Sequence, residues 1–364
     1  MENKTIITVG LASCGISAGG NDVYGTFESL VNSQENILLK KTGCVGACFD
    51  EVIVDVHKDN TNTRYAKVTP VIAEKIFKEH ILESKIVDSH LFKDDSYLTH
   101  QKRIVLRNTG IIDPENIEEY ISTGGYGALK KALKDYTPEE VTSEVKKSGL
   151  GGRGGAGFTT GLKWELTAKE ESDERYIVCN ADEGDPGAFM DRSILEGDPH
   201  GAIEGLLIAA YAIRATTGYI YVRAEYPLAI KRLRIALQQA EDKGFLGEHI
   251  LGSNFSFSLQ IKIGAGAFVC GEETALLASI EGKRGMPQIK PPYPSTKGVW
   301  GKPTVINNVE TLANVPFIIL YGSENFFSIG SENSKGTKVF ALAGKVKNSG
   351  LVEVPMGISL YDII

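Results

Sequence analysis

The sequence predicts an α/β protein of more than one domain, on three observations. From residue 175 onward, short apolar runs alternate with amphipathic helical stretches, the order that builds a mostly parallel sheet with helices packed on it. The first 80 residues repeat the theme on a smaller scale, in the order β-α-β-β-α. At 364 residues the chain is long enough for roughly two or three domains.

In the first unit, TIITVG (5–10) and NILLK (36–40) read as strands, and NDVYGTFESLVN between them spaces its apolar residues as a helix does. EVIVDV (51–56) is a third strand, and HKDNTNTR after it reads as a turn. PVIAEKIFKEHI opens with Pro70, at the position where a helix tolerates proline best. This order predicts a thioredoxin-like module over 1–85. Residues 86–135 are polar and irregular, a connector with short helices. The main unit, 136–328, takes RYIVCN, GYIYVRA and FSFSLQIKI as strands. Its helices are GAIEGLLIAAYAIRA, PLAIKRLRIALQQAEDKG and EETALLASIEGKRG. From about 329 to 364 two further strand-like pieces open a third unit.

Composition excludes several classes of function. Net charge is −7 with a pI near 5.6, and no block of lysine or arginine stands out, which speaks against nucleic acid and anionic membranes. MENKTIITVG lacks the apolar core and cleavage site of a signal peptide. The longest apolar run, AIEGLLIAAYAI, has 12 residues and contains Glu204, so it reads as a core helix and not a membrane span. Five cysteines, few and odd in number, fit a reducing cytoplasm better than a disulfide framework.

Five stretches carry chemistry. In TGCVGACFD, Cys44 and Cys48 flank three residues, and Cys14 lies upstream in ASCGISAGG. Thiolates on two glycine-rich loops of one module could hold an iron–sulfur cluster, whose irons want four such ligands. Buried structural cysteines and a redox dithiol stay open as readings; the fourth position lacks a cysteine and Ser13 is a poor substitute. The second stretch, GLGGRGGAGFTTGLKW (149–164), concentrates glycine at a cost of roughly 0.5–1 kcal/mol per ordered residue relative to alanine. It precedes the first strand of the main sheet, unlike the dinucleotide fingerprint, which follows a strand. Backbone amides of such loops form anion-binding concavities, and Arg153 and Lys163 add positive charge. A phosphate-bearing ligand is the favoured reading, against tight turns and close helix–strand packing.

The third stretch, CNADEGDPGAFMDR, follows a strand and so sits at the carboxyl end of the sheet, where α/β folds bind ligands. Asn180, Asp182, Glu183 and Asp185 suit ribose and ribityl hydroxyls, with a solvated acidic turn or a metal site as alternatives. In GAGAFVCGEETAL, Glu272 and Glu273 open a helix and also favour its dipole. The fifth, KPPYPSTKGVWGKPTVINNVET, reads as a long proline-rich loop carrying Lys290, Tyr293, Asn307 and Asn308.

In this order and spacing, GRGGAGFxxGxKW, CNADExxPGxFxDR, CGEETAL and KPPxPxxxGxWGKPTxINNVET resemble the FMN-carrying flavoprotein subunit of NADH dehydrogenases, from about Arg103 to the end. With the thioredoxin-like ferredoxin module on the same chain, it is more like the diaphorase subunits of NAD(P)-linked, often electron-bifurcating, hydrogenases and formate dehydrogenases. The resemblance implies a Rossmann-like FMN domain followed by the start of a β-grasp-like (SLBB) domain. It implies FMN held by Gly152, Arg153, Gly154, Gly155 and Lys163, by Asn180, Asp182 and Glu183, and by Gly271, Glu272, Glu273, Asn307 and Asn308. Phe158 and Tyr293 would stack the adenine of NADH or NADPH, with Lys290 near the dinucleotide and Asp185 near the nicotinamide end. No side chain need act as acid or base, since hydride passes between bound cofactors and electrons leave singly to iron–sulfur partners. Cys14, Cys44 and Cys48 would bind a [2Fe–2S] cluster.

Departures from the family pattern accompany the match. Asp185 stands where the respiratory complex I branch has glutamate, Leu166 where it has an aromatic, and Phe268 where it has tyrosine. The missing cluster cysteine falls near Val9. The family's later helical domain, with its Cys-x-x-Cys-x-x-Cys run for a [4Fe–4S] cluster, is not in this sequence, so a fragment or a shortened relative is expected. A complex I component and a non-catalytic assembly or redox-sensing relative are the rival readings.

Overall fold

The computed structural model describes residues 4–32, 34–93 and 95–364. Residues 1–3, 33 and 94, which fall within the two expected N-terminal segments, lie outside the described residues.

The first sheet is built from β1 (Thr5–Gly10), β2 (Ile37–Thr42), β3 (Val54–Lys58) and β4 (Thr61–Tyr65), in the order β2-β1-β3-β4. β1 pairs parallel with β2 across the helix Gly20–Val31, and antiparallel with β3. This is the expected thioredoxin-like arrangement, with two corrections. The third strand starts at Val54, not 51, and HKDNTNTR is not only a turn: it contains β4. Asp59 and Asn60 both take positive φ (49° and 60°), the conformation of a two-residue hairpin loop that matches strand twist. Polar Asn and Thr hid an edge strand whose outer face meets solvent. Ile7, Val9, Val23, Phe27, Val54 and Val56 form the core between sheet and helices.

The second sheet is wholly parallel, in the order β7-β6-β5-β8: β5 (Tyr176–Ala181), β6 (Thr217–Arg223), β7 (Ser258–Gly264) and β8 (Thr304–Asn308). The strand and helix runs read from 175 to 285 are all present. The correction lies further on: the stretch read as one long loop contains β8 and runs into the helix Val309–Tyr321. Four prolines between residues 291 and 303 obscured TVINN, and pairing with β5 makes it a strand. One face of the sheet packs on Pro199–Ile213 and Val309–Tyr321, both largely buried. β9 (Thr337–Leu342) and β10 (Gly350–Pro355) form an antiparallel hairpin.

The connector is tied down by charge: the buried Glu353 carboxylate of β10 accepts the backbone N–H groups of Ile104, Val105 and Leu106 at 2.8–3.0 Å. The N-terminal module docks on both other parts. Ser13 donates from its N–H and hydroxyl to Glu196 (2.8 and 2.6 Å), and the buried Arg232 donates to the Leu11 carbonyl (2.8 Å). At Gly43 a Cβ would stand 2.6 Å from the Gly197 Cα, so this approach requires glycine. On the other side, Leu351 N–H donates to the Gly46 carbonyl at 2.8 Å.

Candidate functional site

β5 and β8 lie side by side, and the loops that follow them border a crevice at the carboxyl ends of the strands. The register sets Cys179 beside Asn307 and Asn180 beside Asn308, bringing the third and fifth stretches of the sequence together. A cavity of about 600 Å³ occupies the crevice, within the usual 300–1,000 Å³ of small-molecule sites.

The glycine-rich loop forms one wall. It folds back on itself, with Gly152 N–H donating to the Phe158 carbonyl at 2.9 Å, and offers Gly154 and Gly155 to the cavity. Gly155 has φ +111°, and a Cβ built on it would meet no protein atom within 4 Å. The loop's bare backbone therefore faces empty space large enough for a ligand. Gly154 is different: its Cβ would stand 3.2 Å from Asn308 Cβ, so it permits close packing. Arg153 lends little charge to the cavity. Its buried guanidinium donates to the carbonyls of Gly151, Lys335 and Thr337, fastening the loop to the C-terminal hairpin.

The loop after β5 forms the opposite wall. Asn180 donates to the Gly271 carbonyl (3.0 Å) and accepts from Asp182 N–H (3.0 Å). Glu183 is buried and accepts from the N–H groups of Asp191 and Arg192 (3.1 and 3.2 Å) at the start of the helix Met190–Gly197. Asp182 points an oxygen inward that is buried and has no partner. Burial raises its carboxyl to about 6. Asp185 is exposed at the cavity edge.

Glu272 and Asn308 share a third role: each lines the cavity and caps the helix that follows it. Glu272 accepts from Thr274 and Ala275 N–H (2.9 and 3.0 Å). Asn308 accepts from Glu310 and Thr311 N–H (2.9 and 3.3 Å) and donates to Asp191. Burial holds the Asp191 carboxyl well above its ordinary range. Asn307 lies behind the wall, where its oxygen accepts from Trp164 Nε1 at 2.8 Å.

A second cavity, about 460 Å³, adjoins the first, with Gly155 and Ala156, and Glu272 and Glu273, as consecutive residues on either side. Its walls carry the exposed rings of Phe158 and Tyr293, with Leu166, Lys163 and Glu273. Lys163 donates to the Ile306 carbonyl (3.1 Å), and burial lowers its pKa. Lys290 lines neither cavity; it pairs with Glu272 at 3.3 Å and with Glu273.

Sequence pattern alone passes over Met190, Asp191, Val269 and Lys338, which also line the first cavity. Asp191 lies within a quoted motif and is discernible there. Lys338 comes from β9, bound to the Glu310 carboxylate (2.5 Å), and no local pattern points to it.

The donor set fits a flavin mononucleotide. Glycine backbone, helix-capping side chains and an unpaired carboxylate oxygen line a cavity of suitable size, and the largely apolar cavity beside it, with its two exposed rings, suits a second planar ring. Residues 145–317 match a family model described as the Nuo51 FMN-binding domain of Complex1_51K. Over these residues the chain belongs to this family. Among relatives of the Nuo51 domain, the chain is 60% identical over 264 residues to the NADP-reducing hydrogenase subunit HndC of Solidesulfovibrio fructosivorans, covering 72% of this chain and 54% of that protein. It is 55% identical over 249 residues to the F subunit of the NADH-quinone oxidoreductase of Aquifex aeolicus, covering 68% and 58%. The second F-type subunit of the Rhizobium meliloti NADH-quinone oxidoreductase is 52% identical over 261 residues, covering 72% and 62%. The chain thus spans 54–62% of the length of these relatives. The crystal structure of an air-oxidized NAD⁺-reducing [NiFe]-hydrogenase superposes with a TM-score of 0.61 at 28% identity, covering 100% of this chain and 60% of that one.

The cysteine loops lie against the Nuo51 domain. Cys44 and Cys48 have their sulfurs 3.7 Å apart. The neighbouring Cys48 thiol, with the nearby Arg192, lowers the Cys14 thiol to about 7. Arg192 Nη2 stands 3.9 Å from Cys14 Sγ. Val9 is wholly buried in the core of the module. Among the described residues no three His, Cys, Asp or Glu side chains are arranged to hold a single metal ion. A dinuclear cluster asks for less at each iron, two protein donors. Two thiolates on one tetrahedral centre with metal–sulfur bonds of about 2.3 Å stand roughly 3.8 Å apart, so the Cys44–Cys48 pair fits.

Proposed function

We propose that this chain is the FMN- and NAD(H)-binding, diaphorase-type subunit of a cytoplasmic multi-subunit oxidoreductase. It exchanges electrons between nicotinamide nucleotide and the iron–sulfur subunits of a hydrogenase or formate dehydrogenase complex. The observation that carries the reading is the pair of adjoining cavities, one at the carboxyl ends of β5 and β8 and the other alongside β8. Among the described residues no helix is long and apolar enough to cross a membrane.

Bound FMN would supply hydride acceptance from the nicotinamide and one-electron release to iron–sulfur centres. The chain's own residues position and shield. Gly155 leaves room for close approach of the ligand to the main chain, and Asp182 offers an unpaired acceptor oxygen for a ligand hydroxyl. Glu183, Glu272 and Asn308 keep helix starts in place around the cavity. Phe158 and Tyr293 present faces for the adenine, and Lys290 balances the charge of Glu272 and Glu273. Holding two rings in reactive register is the catalytic contribution, and effective molarities from such positioning reach about 10⁵ M or more. The NADH-quinone oxidoreductase relatives favour a second reading, the equivalent component of a quinone-reducing NADH dehydrogenase, which differs in partners and not in chemistry.

An anaerobic absorbance titration of the FMN-reconstituted protein tests the proposal, with NADH and separately with NADPH. Stoichiometric bleaching of the flavin band by NADH is expected. A bound flavin that neither nucleotide bleaches would remove the dinucleotide half, and failure to bind FMN would remove the whole.

A further inference from the structure

The cysteine loops hold a fourth oxygen or sulfur donor besides the three thiols. Glu51, three residues after Cys48, turns its carboxylate back into the space between the loops. Its Oε1 lies 3.5 Å from Cys44 Sγ, and its Oε2 accepts the Ile53 N–H at 3.0 Å, which fixes its direction. The carboxylate also lies against the Cys14 loop. A Cβ on Gly10 would stand 3.5 Å from Glu51 Oε2, and one on Gly15, next to Cys14, would stand 3.2 Å away. The carboxylate therefore touches the Cys44 side and the Cys14 side of the pocket at once.

We propose that Glu51 is the fourth protein ligand of a [2Fe–2S] cluster in the N-terminal module, completing Cys14, Cys44 and Cys48 as a three-thiolate, one-carboxylate donor set. The inference rests on the reading of the three cysteines as cluster ligands. It explains how the module does without a cysteine near Val9: that side chain is packed into the core, while a carboxylate reaches the pocket from the opposite loop. The carboxylate would take the place of one of four thiolates, at one of the two irons. A carboxylate carries the same charge as a thiolate, so the cluster's net charge is that of an all-cysteine site. Its oxygen is a harder donor than sulfur, which makes the two irons unlike.

That inequality is the readout. The full chain is reconstituted anaerobically with ⁵⁷Fe and sulfide, and its oxidised Mössbauer spectrum is recorded beside those of Glu51→Ala and Glu51→Cys. FMN content reports folding independently of iron. The wild type is expected to give two unequal quadrupole doublets in equal amounts. Glu51→Ala should lose about half or more of its iron while keeping FMN. Glu51→Cys should restore the iron and merge the doublets into one. A wild type with two irons and a single doublet, unchanged in Glu51→Ala, would overturn the role of Glu51 and leave the cluster standing. A wild type that takes up FMN but no iron would overturn the cluster and Glu51 together.

Discussion

The two candidate sites are built on opposite plans. Around the flavin cavity nearly every polar side chain already has a protein partner: Asn180 holds Gly271, Glu183 and Asn308 hold helix starts, and Arg153 holds three carbonyls. Among the described residues, the buried side-chain atom of these walls without a partner is one oxygen of Asp182. In the cysteine pocket the donors also meet one another, sulfur against sulfur and sulfur against carboxylate. The first site is shaped before its ligand arrives; the second is a set of ligands gathered around one another. Substitutions in the first should therefore grade binding, and substitutions in the second should abolish it.

The sharpest break is Cys48→Ser. With two of three sulfurs left, iron after reconstitution should fall to background, while FMN content stays within about twofold because Cys48 lines neither flavin wall. Iron and flavin assays on one sample decide it; a proportional loss of both would show that the two sites are one cooperative unit. Next comes Gly155→Val. A branched side chain at φ +111° costs about 1–2 kcal/mol in backbone strain, and it projects into the cavity itself. FMN binding should weaken by more than about 30-fold, read by fluorescence quenching, with the fold intact by circular dichroism.

Legibility in the sequence followed the same division. The strand RYIVCN could be read because four apolar or aromatic residues announce it. TVINN could not, because five residues after a proline become a strand only beside Tyr176–Asn180. Asp185 drew attention as a departure from the family pattern yet sits exposed at the edge, whereas Asp191, six residues later, is buried in the wall. The positive charge of Arg153 was plain, but its partners lie on a hairpin more than 180 positions away in sequence. Local pattern tells which residues can bind; it does not tell which are already bound. Glu51 shows the converse, an inconspicuous acid that becomes a candidate ligand only when two loops converge.

Asn308→Ala removes a helix cap, worth about 1 kcal/mol, and leaves the buried Asp191 without its amide donor, about 1–3 kcal/mol more. Chemical denaturation should register a loss of about 2–3 kcal/mol, and FMN affinity should fall roughly tenfold. Destabilisation with unchanged affinity would mean that the cap supports the helix and not the cavity.

The smallest effect tests that unpartnered carboxylate. Burial raises the Asp182 carboxyl to about 6, so the folded protein takes up this proton more readily than the unfolded chain. Its contribution to stability is present at low pH and is lost as pH rises from near 4 through 6. The same titration sets the charge of the cavity. Above pH 6 the carboxylate is ionised and repels an anionic phosphate or a reduced flavin; below it the group is neutral and can donate a hydrogen bond. FMN affinity of the wild type should therefore tighten by about two- to threefold between pH 7.5 and 5.5, and Asp182→Asn should flatten that profile at a value near the low-pH limit. A variant that keeps the wild-type slope would assign the pH dependence elsewhere, with Asp191 in the same wall as the next group to substitute.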